Sequence, residues 1–207
     1  MKARLPLLLA SQSASRRQLL ESAQIPFRLV AQSADERSCS WDINIEVLVQ
    51  MIAALKMKHV VMPPGLDREQ AQFVLTADTL TGDSSGQIYG KPASYEDAVA
   101  TLRRLRSSEL RTATAFRLEK RVWTGREWIC ELAHEEVVIG GCRFNIPDHW
   151  IDSYLAHSIA LDCAGSMAVE GYGCRFVASM HGSYTAITGL PIFELQVALE
   201  RLGFFEP

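Results

Sequence analysis

The sequence predicts a mixed α/β fold with a long antiparallel centre, not a regular doubly wound repeat. Two observations predict it. The first third alternates short apolar runs with segments of helical periodicity, the order expected where strands are joined by helices. The middle third, from Leu110 to Arg143, reads as extended runs broken by the turn signal Thr124-Gly125-Arg126.

Taken in order, residues 5–10 form a short apolar run that reads as a buried strand. Residues 14–22 follow as a helix with Leu19 and Leu20 inward, and residues 27–31 as a second strand. Val47, Leu48, Met51, Ile52 and Leu55 recur at helical spacing, which predicts an amphipathic helix over residues 44–61. The Pro-Pro-Gly stretch at residues 62–67 reads as a surface loop. Residues 73–81 predict a strand, which GDSSG at 82–86 turns into a short partner at 87–89. Ser94-Tyr95-Glu96-Asp97 fits a capping box, with Ala98, Leu102 and Leu105 on one face behind it. Strands are expected at 110–120, 121–132 and 134–143. Pro147 then opens a helix to about residue 157, and a last helix spans 190–202. No internal repeat or linker divides the chain, so residues 1–207 are expected to form one domain.

Composition narrows the function. The 207 residues are 48% hydrophobic and 22% charged, ordinary for a soluble globular protein and enough for a sizeable core. A net charge of −3 argues against a broad grip on nucleic acid, so any anion site must be local. The run at residues 5–10 is too short for a signal core or a membrane span. Five cysteines without CxxC spacing read as reduced thiols, which suits a cytoplasmic protein, and the five scattered histidines lack metal-ligand spacing.

Several residues stand out against this background. Arg16 and Arg17 open the first predicted helix, where free N–H groups already present positive charge. Either both point to solvent with Ser13 as a plain cap, or a multivalent anion sits among Ser11, Ser13, Ser15 and Arg16. Asp78 interrupts an apolar strand. It either ends the strand and helps the turn, or it is paired or metal-bound. Asp35-Glu36 follows the second strand as a solvated loop or an active-site loop, and Lys56 alone would be a polar-face residue. The stretch GQIYGKP at residues 86–92 invites a P-loop reading and fails it, because Ser85 and Pro92 hold the glycine and hydroxyl positions. No GxSxG or GxGxxG occurs. The segments LDCAGSMAVEG and HGSYTAITGLP are dense in glycine and serine, which lets backbone approach a ligand closely.

The order of these segments resembles the Maf family of nucleoside triphosphate pyrophosphatases over nearly the whole chain. The pattern LASxSPRRxxLL is matched from Leu9 to Leu20. Asp35-Glu36, Lys56, Ala77-Asp78-Thr79, Gly90-Lys91-Pro92, Asp162 to Gly171, Gly182-Ser183-Tyr184 and Gly189-Leu190-Pro191 follow in turn. The resemblance implies a Maf/inosine-triphosphatase-like α/β fold: a long bent mixed β-sheet with flanking helices, and two lobes around a central cleft. It implies cleavage of a nucleoside triphosphate to the monophosphate and pyrophosphate, dependent on Mg2+ or Mn2+, in a homodimer. By the same resemblance, Ser13, Arg16, Lys56 and Lys91 contact phosphates. Asp78 orients or deprotonates the attacking water, and Glu36 with Asp78 holds the metal through hard oxygens. A nucleotide-binding cell-division regulator with little catalysis is the alternative the family suggests.

This chain departs from the pattern at Ala14, Ser15 and Ala186. Ser15 stands where a branch acting on 7-methyl-GTP carries tryptophan, and Glu170 matches that branch's SEG. Thr79 and Tyr184 look instead like the thymidine/uridine branch. Ser15, Thr79 and Glu170 are therefore the expected specificity positions. Ionised Glu170 only accepts hydrogen bonds, which suits an amino-bearing or cationic base such as cytosine or 7-methylguanine better than thymine.

Overall fold

The computed structural model describes residues 5–65, 70–106 and 108–205. One seven-stranded mixed sheet organises them. Strand β1 (Leu7–Leu9) lies parallel to β2 (Phe27–Leu29) and to β3 (Ala71–Gly82). Strands β5 (Glu109–Trp123), β6 (Trp128–Phe144) and β7 (Val177–Gly182) continue antiparallel, and β4 (Ile88–Tyr89) pairs back onto β3.

The predicted middle third needs one correction. The expected strands at 121–132 and 134–143 are not separate elements. Residues up to Trp123 belong to β5, and β6 runs unbroken through Ala133 and His134. The turn signal is the hairpin itself. Gly125 sits at φ +93, and the Thr124 hydroxyl accepts from the N–H groups of Arg126 and Glu127. Register shifts at Lys120/Arg121 and Arg143/Phe144 place irregularities where long strands bend.

Helices cover both faces. Helix α1 (Ala14–Ser22) packs Leu20 onto Leu7, Leu9 and Leu75, together with α6 (Ile192–Arg201). Helix α2 (Ile45–Lys58) covers the opposite face, with Met57 against Leu8 and Val74 and with Ile52 near Leu80. Its N-cap is Asn44, whose side chain accepts from Glu46 N–H at 2.8 Å, and it ends before Val61. Its buried stripe is Ile45, Leu48, Val49, Ile52, Ala53, Lys56 and Met57, whereas Val47 and Met51, expected inward, are exposed.

A second apolar cluster builds the other lobe. It joins α3 (Tyr95–Leu105) and α4 (Asp148–His157) to the far ends of β5 and β6 and to the irregular segment 160–177. Ser94 caps α3 by accepting from Asp97 N–H, and the Asp97 carboxylate accepts from Ala93 N–H, one residue before the position a standard capping box uses. Pro147 is the N-cap of α4 and not its first residue. Strand β7 and the short helix α5 (Tyr184–Thr188) lie where only a glycine-rich stretch was expected, so the last long helix begins at Ile192. Of the expected loop at 62–67, Met62 to Gly65 carry no regular structure, while Leu66 and Asp67 lie outside the described residues.

Ala14, one of the departures, occupies the first position of α1. Ser13 before it has φ −61 and ψ 125, the extended conformation that a following proline prefers. Ala14→Pro is therefore expected to raise stability by about 0.4–1 kcal/mol through the unfolded chain, read as a higher denaturant midpoint. A drop in midpoint would show that this turn does not accept the ring.

Candidate active site

The site forms where the sheet leaves a gap. Strand β1 pairs with β3 only through Leu8 with Val74 and Leu9 with Leu75, and β4 meets β3 only at Thr81 and Gly82. On its other edge β3 is paired with β5 along its whole length. The stretch from Thr76 to Leu80 therefore borders a crevice at the carboxyl end of β1, the position where open α/β sheets bind ligands. Asp78 lies at its middle.

Strand alternation hands the site its two cations. Val74, Thr76, Asp78 and Leu80 face α2, as the hydrogen bond from Thr76 Oγ1 to Ala53 O (2.8 Å) shows. Lys56 lies on the buried stripe of α2, in its last turn, where a cation also meets the helix dipole favourably. Its Nζ donates to Asp78 Oδ1 at 2.6 Å and pairs with Glu36 Oε1 at 3.0 Å. Glu36 comes from the short 3-10 turn Glu36–Ser38, capped by Asp35.

Thr79 points to the opposite face, towards α1. Ser13 caps that helix, accepting from Arg16 N–H at 3.4 Å, and Arg16 turns inward instead of into solvent. Only 8% of Arg16 is exposed. Its Nε donates to Gly189 O (2.8 Å), Nη1 to Ser11 Oγ (3.1 Å) and Nη2 to Thr79 Oγ1 (3.0 Å). Thr79 is in turn fixed by Thr114 (2.9 Å), whose hydroxyl donates to Ala186 O at 2.7 Å. At Ala186, another departure, the backbone carbonyl does the anchoring.

Every direct partner of the Arg16 guanidinium is thus a neutral oxygen. Burial lowers its pKa, while the carboxylates of Asp78 and Glu36 act in the opposite sense at longer range. A buried cation held only by neutral acceptors keeps charge with which to attract an anion. Asp78 is the complement: burial pushes its carboxyl up, and Lys56 and Arg16 pull it back. Its Oδ2 is buried and accepts no hydrogen bond among the described residues. That orphaned oxygen fits a divalent cation or a water, and with Glu36 it makes two carboxylates. Two suffice where a cation takes its remaining ligands from phosphates and water. Among the described residues no three acidic, histidine or cysteine side chains are grouped so that they could hold a metal ion by themselves.

All nine sequence-predicted residues line one cleft of about 420 Å³: Ser13, Ser15, Arg16, Glu36, Lys56, Asp78, Thr79, Lys91 and Glu170. Lys91 reaches it from the turn after β4, 3.9 Å from Asp162. Ser15 donates to Glu170 Oε1 at 2.8 Å, joining α1 to the segment before Gly171. Cys163 is also in the wall, and burial beside Glu170 pushes its thiol up to about 12, which disfavours the thiolate.

The profile of the family described as Maf-like protein matches residues 6–202. The chain belongs to the Maf-like family. Similar proteins align with this Maf-like chain over nearly their full lengths. The nucleoside triphosphate pyrophosphatase of Synechococcus sp. (strain JA-3-3Ab) is 34% identical over 96% of this chain and 95% of its own. The dTTP/UTP pyrophosphatases of Aromatoleum aromaticum (32% identical, 95% of each chain) and Geotalea uraniireducens (31%, all of each chain) are similar as well.

Sequence reasoning missed the supports of this Maf-like site. The Gly189 carbonyl holds Arg16 directly and Thr114 holds it through Thr79, and the GLP motif was the one signal pointing to Gly189. Trp41, which also lines the cleft, carried no sequence signal at all.

Proposed function

We propose that this Maf-like chain hydrolyses a nucleoside triphosphate to the monophosphate and pyrophosphate. The observation that carries the reading is the convergence of Arg16, Lys56 and Lys91 on a cleft whose buried floor is the Asp78 carboxylate. Hydrolysing a triphosphate calls mainly for positioning and charge neutralisation, and that is what three cations from three separate segments supply. The similar proteins named as pyrophosphatases support the same reaction.

Arg16 and Ser13, at the start of α1, bind phosphate oxygens from one face of the sheet, Lys56 binds from the other, and Lys91 closes on the phosphates from the second lobe. Asp78 takes the proton of the attacking water. Glu36 and Asp78 would hold a Mg2+ or Mn2+ ion, which would supply charge neutralisation and a more acidic water.

Base choice falls to Glu170. Its carboxylate is fixed by Ser15 through one oxygen. As a pure acceptor it favours bases with amino or cationic donors, cytosine or 7-methylguanine, over the thymine edge. Glu170→Gln is expected to shift relative kcat/KM towards UTP and dTTP by about tenfold, one pocket hydrogen bond's worth of discrimination. An unchanged ranking after that swap removes Glu170 as the selector.

The test of the function is a panel of ordinary and methylated triphosphates with Mg2+ or Mn2+, scored separately for pyrophosphate and orthophosphate. The reading predicts pyrophosphate, lost on chelation. Tight triphosphate binding without turnover would favour a nucleotide-binding regulator instead.

A further inference from the structure

Trp41 is 43% exposed and lines the cleft. It lies in the loop between the Glu36–Ser38 turn and α2. The loop is anchored from below by Cys39 and Ile43, which pack onto the core beneath α2. From there the indole reaches across to the turn that follows β4. A Cβ added at Gly90 would stand 3.2 Å from Trp41 Cη2 and 3.7 Å from Cζ3. Gly90 is not among the residues at positive φ, so no backbone demand explains the glycine here. The missing side chain leaves room for the ring, and Gly90 and Trp41 both line the cleft.

The other side of Gly90 is tied as well. Its carbonyl accepts from Gly165 N–H at 2.9 Å, and Pro92 two residues on restricts the backbone of Lys91. The Lys91 side chain is 61% exposed, and its ion partner is the equally exposed Asp162 at 3.9 Å. Its placement therefore depends on how the turn beneath it is held. Trp41 is the contact that joins this turn to the loop carrying Glu36.

We propose that Trp41 is a positioning residue that ties the Lys91 turn to the Glu36 loop and so sets where the Lys91 ammonium meets the triphosphate. This rests on the pyrophosphatase reading, in which Lys91 binds phosphate. Trp41 acts through Lys91 and takes no part in proton transfer.

Four enzymes test it: wild type, Trp41→Ala, Lys91→Ala and the double variant, each assayed for pyrophosphate release with thermal midpoints recorded. Trp41→Ala is expected to raise KM about tenfold with kcat changed by less than about threefold, the pattern of lost ground-state binding. Trp41→Phe, which keeps a ring against Gly90, is expected to recover most of that loss. In the Lys91→Ala background, Trp41→Ala should add less than about twofold, because the residue it positions is gone. Gly90→Ala gives a second handle that leaves Trp41 in place. It should raise KM in the wild type and be without effect once Trp41 is alanine. Independent, multiplying effects of Trp41 and Lys91 would overturn the proposal, as would a fall in kcat at unchanged KM. If Trp41→Ala does not fold, Trp41→Leu and Gly90→Ala carry the same cycle. Absence of pyrophosphate release from the wild type would remove the functional reading and this inference with it. Normal wild-type turnover with multiplying effects would remove the inference alone.

Discussion

Replacing Asp78 by asparagine is expected to slow pyrophosphate release about 1,000-fold, within the range a positioned general base supplies. The change is nearly isosteric, and the asparagine Oδ1 can still accept from Lys56 Nζ, so the floor of the cleft keeps its shape. Triphosphate binding should therefore survive, as measured by calorimetry on the variant. Burial also raises the Asp78 carboxyl above the ordinary 3.8 in the metal-free protein, and Lys56 is the nearest charge opposing that rise. Carboxyl titration of the metal-free protein by NMR is thus expected to place Asp78 above a solvent-exposed aspartate, and Lys56→Gln should move it higher still. A titration unmoved by Lys56→Gln would mean that Lys56 does not set the charge state of Asp78.

Arg16→Lys carries the second large effect, a loss of about 100-fold or more in kcat/KM, the cost typical of removing one preorganised donor from a developing charge. The planar fork explains why lysine fails. Nε, Nη1 and Nη2 each have their own acceptor, on Gly189, Ser11 and Thr79, and a single ammonium cannot satisfy three separated oxygens and a phosphate. Arg17→Lys is the control. Arg17 is outside the cleft, so its substitution should change kcat/KM by less than about twofold. Equal losses at the two positions would deny Arg16 its special place.

The contrast between the two arginines shows what could be read from the chain. Their position at a helix start was visible as a conflict with the dipole, and Arg16 resolves it by burying into the cleft. Asp78 was visible in the same way, as a carboxylate where only apolar side chains belong. Such conflicts are legible because local chemistry forbids them unless something else compensates. Lys56 raises no such conflict, and only the family pattern points to it. The apolar residues of α2 fit two phases, and the phase through Val47 and Met51 leaves Lys56 on the polar face. The phase through Val49, Ala53 and Met57 buries it. Only packing against Leu8, Val74 and Leu80 decides between them.

Strand β7 was hidden because its residues sit in a glycine-rich stretch and only pairing with β6 orders them. The split of β6 came from treating each apolar run as one strand, whereas β5 and β6 support each other across the whole hairpin. Trp41 lay beyond reach altogether. Its role depends on a glycine 49 positions away, and no local pattern records that distance.

In the proposed reaction water attacks the phosphorus nearest the nucleoside while Asp78 takes its proton. Hydrolysis in 18O-labelled water, with the products separated and weighed by mass spectrometry, tests it directly. The label is expected in the nucleoside monophosphate, with pyrophosphate unlabelled. Label in pyrophosphate, or release of labelled orthophosphate, would place the attack elsewhere and contradict the arrangement of Arg16, Lys56 and Lys91 around Asp78.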